Sequence, residues 1–336
     1  MKNKILYEIQ KNFPLHSKPF KKIGEKLGLD ENEVIQIIKY EKDNGIIRQI
    51  SGIFDTKKLG YKSSLIAFKV NKDSIDKAVK ILNSHPGISH NYERNHNFNI
   101  WFTIAVPPDS LLGLEKTVKI LAKKAFAKDF IILPTKKLFK ISVKLDTTGK
   151  EAKKEKIVKK IYKDLSLTNL HKKIISLVQD DIKITSEPFF DIIKKLNINY
   201  DTFFNNLNEL KDAGYMRRYA AILNHRKAGF GANAMVVWDI DEEIAEKMGE
   251  KIASFSSVSH CYLRPKFYNW PYNLFSMVHG KSKEETNALV NEIEQEVIYN
   301  SNKYLYSSRE FKKVRVKYYT DDINNWEKEI QYETIF

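Results

Sequence analysis

The chain has 336 residues, of which 42% are hydrophobic and 12% aromatic, a composition that suits several packed domains. Its single cysteine, Cys261, excludes an internal disulfide and a thiolate-rich zinc or iron–sulfur site. The formal net charge of +15 favours an anionic partner, but it does not distinguish nucleic acid, a membrane surface and a polycarboxylate ligand. No apolar run is long enough to cross a bilayer, so we expect no membrane partner and a cytoplasmic location.

The two halves of the chain repeat each other, with a period of about 170 residues that suits a duplicated multidomain unit. The matching segments keep their order, and they are 19–20 and 188–189, 45–48 and 214–217, and 89–94 and 259–264. A stretch containing Thr, Gly and many Lys residues separates the copies and is typical of a solvated linker. We therefore predict two domains at 1–55 and 56–146, a linker at 147–165, and two equivalent domains at 166–224 and 225–336.

Each copy begins with three segments of helical apolar spacing, followed by one in which β-branched or aromatic residues alternate with others. The predicted helices and strand are 3–12, 19–27, 31–43 and 46–53 in the first copy, and 169–177, 186–196, 199–213 and 215–223 in the second. Asp30 and Glu33 have the spacing of a capping box at the start of the third helix. This order predicts a winged helix-turn-helix domain in each copy.

The remainder of each copy predicts the order strand, helix, strand, strand, helix, strand. The predicted ranges are 64–71, 73–84, 87–94, 98–107, 109–124 and 138–145, then 232–240, 241–254, 257–264, 273–279, 282–299 and 311–319. This βαββαβ order is typical of a ferredoxin-like sandwich, in which helices cover one face of a four-stranded sheet. Because the other face also needs cover, we expect an α+β tandem duplication whose two copies pack as an internal pseudo-dimer.

A winged helix-turn-helix followed by this sandwich resembles the leucine-responsive and asparagine-synthetase regulators, the Lrp/AsnC family of transcription factors. A helix that reads the major groove needs basic or amide side chains near its start. The third helix instead begins with Asp30, Glu31 and Glu33, and its counterpart begins at Asn199 with Asp201 and several aromatic residues. We therefore expect no specific DNA binding, although lysines of the preceding helix leave weak nonspecific contact open.

Two segments, 89–102 and 259–280, concentrate His, Tyr, Arg, Asn and Trp residues at equivalent places in the two copies. Because side chains two apart on a strand share a face, each segment presents an imidazole, a phenol and a guanidinium in one row. The rows are His90, Tyr92 and Arg94, and His260, Tyr262 and Arg264. Such rows suit a large ligand with carboxylates, because arginine binds a carboxylate bidentately and His or Tyr can donate protons.

The motifs SHNYERNHNFNIWF at 89–102, SHCYLRP at 259–265 and WPYNLF at 270–275 are similar to those of the siroheme decarboxylase family. So are GIIRQISGIFD at 45–55 and RRYAAILNHR at 217–226. The resemblance implies a carboxy-lyase that removes two acetate carboxyl groups from siroheme to give 12,18-didecarboxysiroheme, for heme or d-type heme synthesis. It also implies that no cofactor is required and that two subunits are fused as an internal pseudo-heterodimer, with further homodimerisation left open.

The resemblance assigns candidate roles to residues of both copies. The candidate proton donors are His90, Tyr92, His260 and Tyr262. The candidate substrate-binding residues are Arg48, Arg94, His96, Asn99, Trp101, Arg217, Arg218, His225, Arg264, Trp270, Tyr272, Asn273 and His279. We expect no metal bound by the protein itself, and the siroheme iron is expected near His96, His225 or His260.

Some alternatives stay open at this point. Gln49 stands where the second copy has Arg218, so the sequence does not decide whether both copies hold a competent site. A ligand-sensing transcription regulator and a noncatalytic tetrapyrrole carrier are the rival functions. His16, His85 and His171 have no counterpart in the other copy and are expected to be surface or packing residues.

Overall fold

The computed structural model describes residues 1–141, 161–224 and 232–335. These residues form two compact units. The helical unit contains 1–59 and 161–224, and the sandwich unit contains 60–141 and 232–335, so each unit combines equivalent parts of both copies. Most of the predicted linker at 147–165 lies outside the described residues. Within those residues no helix has both the length and the apolar character that a bilayer span needs.

The first copy follows the predicted order closely. Its elements are α1 (Lys2–Lys11), α2 (Pro19–Leu27), α3 (Glu31–Asp43), β1 (Ile47–Phe54), β2 (Lys62–Lys69), α4 (Ile75–Ser84), β3 (Ile88–Arg94), β4 (Ile100–Val106), α5 (Gly113–Lys124), β5 (Asp129–Pro134) and β6 (Lys137–Ile141). The predicted capping box is confirmed, because Asp30 accepts a hydrogen bond from the Asn32 backbone and Glu33 accepts one from the Asp30 backbone.

The second copy repeats these elements and adds a final helix that the apolar spacing did not predict. They are α6 (Asn169–Val178), α7 (Phe190–Leu196), α8 (Tyr200–Asp212), β7 (Met216–Leu223), β8 (Ala232–Asp239), α9 (Glu242–Ser254), β9 (Val258–Leu263), β10 (Leu274–Gly280), α10 (Lys283–Glu294), β11 (Ser301–Leu305), β12 (Ser307–Lys313) and α11 (Asp322–Ile335). In the helical unit, β1 and β7 pair antiparallel with each other, with Ile50 opposite Ala221. The two predicted wings therefore share one sheet.

In the sandwich unit the described strands form two five-stranded antiparallel sheets, with the orders β12-β3-β4-β2-β5 and β11-β8-β10-β9-β6. We predicted that the strands at 138–145 and 311–319 belong to the sheets of their own copies, and this prediction is wrong. β5 and β11, missing from the prediction, pair with β2 and β8 and fill those edges. β6 then pairs with β9 and β12 with β3, because the edge of the opposite copy offers backbone groups that need partners.

The inner faces of the two sheets share one apolar cluster. It includes Trp101 and Leu133 from the first copy and Met235, Trp270 and Phe275 from the second. The Trp101 and Trp270 ring centroids are 5.1 Å apart. This shared core confirms the predicted pseudo-dimer, in which each sheet covers the face that the other leaves open.

Candidate active site

The predicted rows lie on β3 and β9, and their rings contact each other in sequence. His90 and Tyr92 stack with centroids 6.3 Å apart, and the Arg94 guanidinium lies 5.5 Å from the Tyr92 centroid. On β9, His260 and Tyr262 stack at 6.1 Å, and Arg264 lies 4.8 Å from the Tyr262 centroid. The histidines and tyrosines are half-buried, so each row is partly open to a ligand.

Both arginines at the ends of the rows are buried, with 6% and 7% of their surface exposed. The Nη1 of Arg94 donates to the Leu305 carbonyl at 2.6 Å, and that of Arg264 donates to the Leu133 carbonyl. Burial lowers the pKa of each guanidinium to about 10, partly opposed by the neighbouring tyrosine. Each arginine therefore connects its own copy to the other, and its role as a carboxylate clamp stays a prediction.

A serine that is not among the predicted site residues contacts two histidines in the second copy. The Oγ of Ser259 lies 2.7 Å from His260 Nδ1 and 2.6 Å from His279 Nε2. A register shift between Met277 and Val278 interrupts the pairing of β10 with β9 beside this group. The signal was present in the sequence, because both copies have serine directly before the histidine of the row.

The first copy has a different group at the equivalent place. Ser89 lies 3.0 Å from His90 Nδ1, but its other partner is the hydroxyl of Thr103 at 2.7 Å. The residue equivalent to His279 in the first copy is Ala105. The backbone N–H of His279 donates to the Ser257 carbonyl, and that of Ala105 donates to the equivalent Gly87 carbonyl. The paired imidazoles are therefore specific to the second copy.

Two asparagines that are predicted to bind the substrate make hydrogen bonds with backbone groups. The Asn99 amide accepts from the Val70 N–H at 3.0 Å and donates to its carbonyl at 2.9 Å. Asn273 makes the same pair with Ile240 at 3.1 and 2.8 Å. The geometry favours a structural role for both amides, because each holds the start of its strand against the end of β2 or β8.

The aromatic candidates gather where the two sheets meet. His96 accepts from the Phe98 N–H at Nδ1, and its pKa is lowered by burial and then by Lys303. Its ring contacts Trp270 at 5.2 Å, and Tyr272 contacts the same indole at 5.0 Å. Trp101 and Trp270 are both buried in the shared core, so their stacking on a ligand stays a prediction.

Cys261 lies between His260 and Tyr262 in sequence, but on the opposite face of β9. It is completely buried in the core of the second copy, and burial raises the pKa of its thiol. The thiolate is therefore disfavoured, and Cys261 acts as a packing residue of this core.

The candidate arginines of the helical unit differ from one another. Arg48 is exposed on β1, whereas Arg217 on β7 forms an ion pair with Asp55 at 2.9 Å. Arg218 is half-buried, and burial followed by the charge of Arg217 lowers its pKa. Gln49, in the equivalent position of β1, donates to the Gln179 carbonyl at 2.7 Å. His225, the remaining candidate, lies outside the described residues.

The structure brings three of the candidates together around one cavity of about 520 Å³ in the sandwich unit. Arg94, His96 and Asn99 contribute from the β3–β4 hairpin of the first copy. Lys303 contributes from β11 of the second copy. The cavity is large enough for a small ligand or for part of a larger one.

Comparison with known proteins agrees with this architecture. Residues 58–140 and 227–312 match the AsnC-like ligand binding domain, and residues 2–48 match the siroheme decarboxylase NirDL-like HTH domain. The siroheme decarboxylase of Hydrogenobacter thermophilus is 41% identical over 328 residues, which cover 98% of each chain. The siroheme decarboxylase beta subunit of Methanosarcina barkeri is 40% identical over 43% of this chain and 95% of its own length.

A solved structure is similar along almost the whole chain. The crystal structure of the siroheme decarboxylase NirDL in co-complex with an iron-uroporphyrin III analogue has 36% identity and a TM-score of 0.78, and the match covers 99% of each chain. Similarity at this level over both copies extends beyond the shared regulator-like fold. The chain belongs to the siroheme decarboxylase family.

Proposed function

We propose that this chain is a siroheme decarboxylase, a carboxy-lyase that removes the carboxyl groups of two acetate side chains from siroheme to give 12,18-didecarboxysiroheme. The observation that carries the mechanism is the contact of Ser259 with both His260 and His279, beside the half-buried ring of Tyr262. The relative of Hydrogenobacter thermophilus and the NirDL structure support the reaction and the class of ligand.

The reaction breaks one carbon–carbon bond at each acetate. Carbon dioxide leaves, and the bonding electron pair remains on the methylene carbon, where the conjugated macrocycle delocalises it. A general acid then delivers one proton to that carbon, so the acetate becomes a methyl group. The protein must therefore bind a flat polycarboxylate, desolvate the reacting carboxylate and supply two protons per turnover.

The groups of the second copy are suited to supply those protons. A serine hydroxyl donates one hydrogen bond and accepts others, so Ser259 can receive a proton from one imidazole while it gives its own to the other. His279 would then reprotonate His260 after each proton transfer. His260 or the stacked Tyr262 is the group that we place against the substrate methylene. The first copy has no second imidazole at this place, so we assign the main chemical step to the second copy.

The positive charge of the chain favours binding of an anionic substrate. Siroheme carries several carboxylates, and the chain has a formal net charge of +15. We propose that Arg48 and Arg218 bind carboxylates that are retained in the product, because a guanidinium binds a carboxylate bidentately. The substrate brings its own iron, and we propose that the protein requires no further cofactor.

The deciding experiment is anaerobic incubation of the full chain with siroheme, followed by mass spectrometry of the tetrapyrrole. We expect a product lighter by the mass of two carbon dioxide molecules, and a much slower loss with the variant His279→Ala. A tetrapyrrole that binds but keeps its mass would show a carrier and overturn the proposed reaction.

Specific DNA binding is not part of this proposal. The acidic residues Asp30, Glu31 and Glu33 that begin and cap α3 would face phosphates and base edges if that helix entered the major groove. Site-selective DNA retention that weakens steeply with salt would support a regulator instead.

A further inference from the structure

The two copies differ in the hairpin that follows the His–Tyr–Arg row. Arg94 and Arg264 are equivalent, because Arg94 donates to a carbonyl of β11 and Arg264 donates to one of β5, each in the opposite copy. Asn99 and Asn273 are equivalent, because each donates to the carbonyl of the residue that follows β2 or β8. Residues 95–98 connect these points in the first copy, and residues 265–272 connect them in the second. The first copy therefore has the shorter hairpin, and the cavity of about 520 Å³ lies beside it.

The charge beside this hairpin also differs between the copies. Leu305 and Leu133 are equivalent, because their carbonyls accept from Arg94 and Arg264. Lys303 lies two residues before Leu305, and Ile131 lies two residues before Leu133. Lys72 lies two residues after Val70, and the equivalent residue after Ile240 is Glu242. Two cations beside the hairpin of the first copy thus correspond to an apolar residue and an acid beside the hairpin of the second.

These cations are not neutralised within the part of the chain that the structure describes. Neither Lys72 nor Lys303 forms an ion pair there, and both are exposed at the cavity. Glu93 also lines the cavity, but its carboxylate is already paired with Arg309 at 2.5 Å. The cavity therefore has an excess of positive charge.

Hydrogen-bond donors complete the lining. The Nε of buried Arg94 has no hydrogen-bond partner among the described residues, and Arg94 is one of the residues that line the cavity. His96 accepts at Nδ1 from the Phe98 N–H, so the proton of its neutral ring is at Nε2 and is available to an acceptor. A buried guanidinium that has an N–H without a partner, beside two lysines without an ion pair, can stabilise a carboxylate.

We propose that the cavity between the β3–β4 hairpin of the first copy and β11 of the second is a carboxylate-binding site, and that the hairpin of the second copy has no equivalent site. Arg94 and Lys303 bind the carboxylate, and Lys72 adds long-range attraction. The other hairpin keeps the arginine as Arg264 but has Ile131 and Glu242 in place of the two lysines. The inference stands on the cavity and its charges and does not require the proposed reaction. The carboxylate belongs either to a side chain of the bound tetrapyrrole or to a small free acid.

The test is calorimetric titration of the full chain with succinate at low ionic strength. The variants Lys303→Ile and Lys72→Glu introduce, at exposed positions, the residues found at the equivalent places beside the other hairpin, so the fold should be retained. Lys247→Gln, an exposed change on α9, is the matched control. We expect one succinate per chain, with affinity reduced roughly fivefold to tenfold by Lys303→Ile and further in the double variant, but unchanged by the control.

A second titration in the presence of siroheme separates the two sources. Loss of the succinate signal would assign the site to a carboxylate of the tetrapyrrole, and an unchanged signal would assign it to a free acid. No succinate binding to the parent chain, or equal affinity in the double variant, would overturn the proposal. Decarboxylation is measured separately on the same samples, so failure of the reaction and failure of the site are distinguishable.

Discussion

The Nη1 of Arg94 lies 2.6 Å from the carbonyl oxygen of Leu305, and Arg264 makes the equivalent contact with Leu133 in the reverse direction. These reciprocal hydrogen bonds relate the two copies within the sandwich unit. Both guanidinium groups are buried, and burial lowers the pKa of each, so the hydrogen bonds that they make are important for stability. The same residue types that suit substrate binding therefore also hold the pseudo-dimer together.

We predict that Arg94→Lys destabilises the folded chain by about 2 kcal/mol, and that Arg264→Lys costs about the same. Lysine keeps the buried charge but loses the planar group that contacts both the tyrosine ring and the carbonyl. The measurement is the urea midpoint by circular dichroism. Arg309→Lys, at an exposed ion pair, is the control and should leave the urea midpoint almost unchanged. An equally small effect at Arg94 would contradict the structural role.

Ser259→Ala should lower kcat by about a hundredfold with little change in KM, because it interrupts the connection between His260 and His279. Ser89→Ala is the matched control, since Ser89 contacts only one histidine in the first copy. We expect the control to retain most activity, and Ser259→Thr to restore part of the lost rate. Equal losses from both alanine variants would show that the two copies contribute alike.

His85 makes stability depend on pH. Its ring is completely buried against Trp326, and burial followed by the charge of Lys312 lowers its pKa to about 3. Below the unfolded pKa of about 6.5 the unfolded chain takes up a proton that the folded chain excludes. This residue therefore favours unfolding by about 1.4 kcal/mol for each pH unit between about 6 and 3, and it has no such effect above 6.5.

The measurement is the unfolding free energy of the parent chain and of His85→Asn at pH 7 and pH 5. Between pH 7 and pH 5 we expect the unfolding free energy of the variant to fall by about 2 kcal/mol less than that of the parent, because asparagine does not titrate. His16→Asn, at an exposed histidine, is the control variant. Parallel pH dependence of His85→Asn and the parent would refute the assignment.

Glu327 should hold the final helix α11 against the first copy. Its completely buried carboxylate accepts from the Ser110 hydroxyl at 2.5 Å and from the Leu111 N–H at 2.7 Å. We predict that Glu327→Ala costs about 2 kcal/mol and speeds amide hydrogen exchange at Leu111 and along α11. The exposed neighbour provides the control Glu329→Ala, for which exchange should stay at the parental rate. Unchanged exchange in Glu327→Ala would mean that other contacts hold the helix.

Local signals were enough to predict the parts of the molecule that depend on neighbours in sequence. Asp30 and Glu33 predict the start of α3 because a capping box needs only residues three apart. His90, Tyr92 and Arg94 share a face because strand side chains alternate with a period of two. The sequence therefore determined which residues form each row and that the rows occur twice.

Only the tertiary structure decided how these rows are used. The exchange of β6 and β12 depends on which sheet edge remains open after β5 and β11 have paired, a competition that the local pattern of a strand does not record. The contact between Ser259 and His279 depends on the register between β9 and β10, including its shift beside Met277. Periodicity specifies the face of a strand, whereas its partner and register are set by the free energy of the whole packed unit.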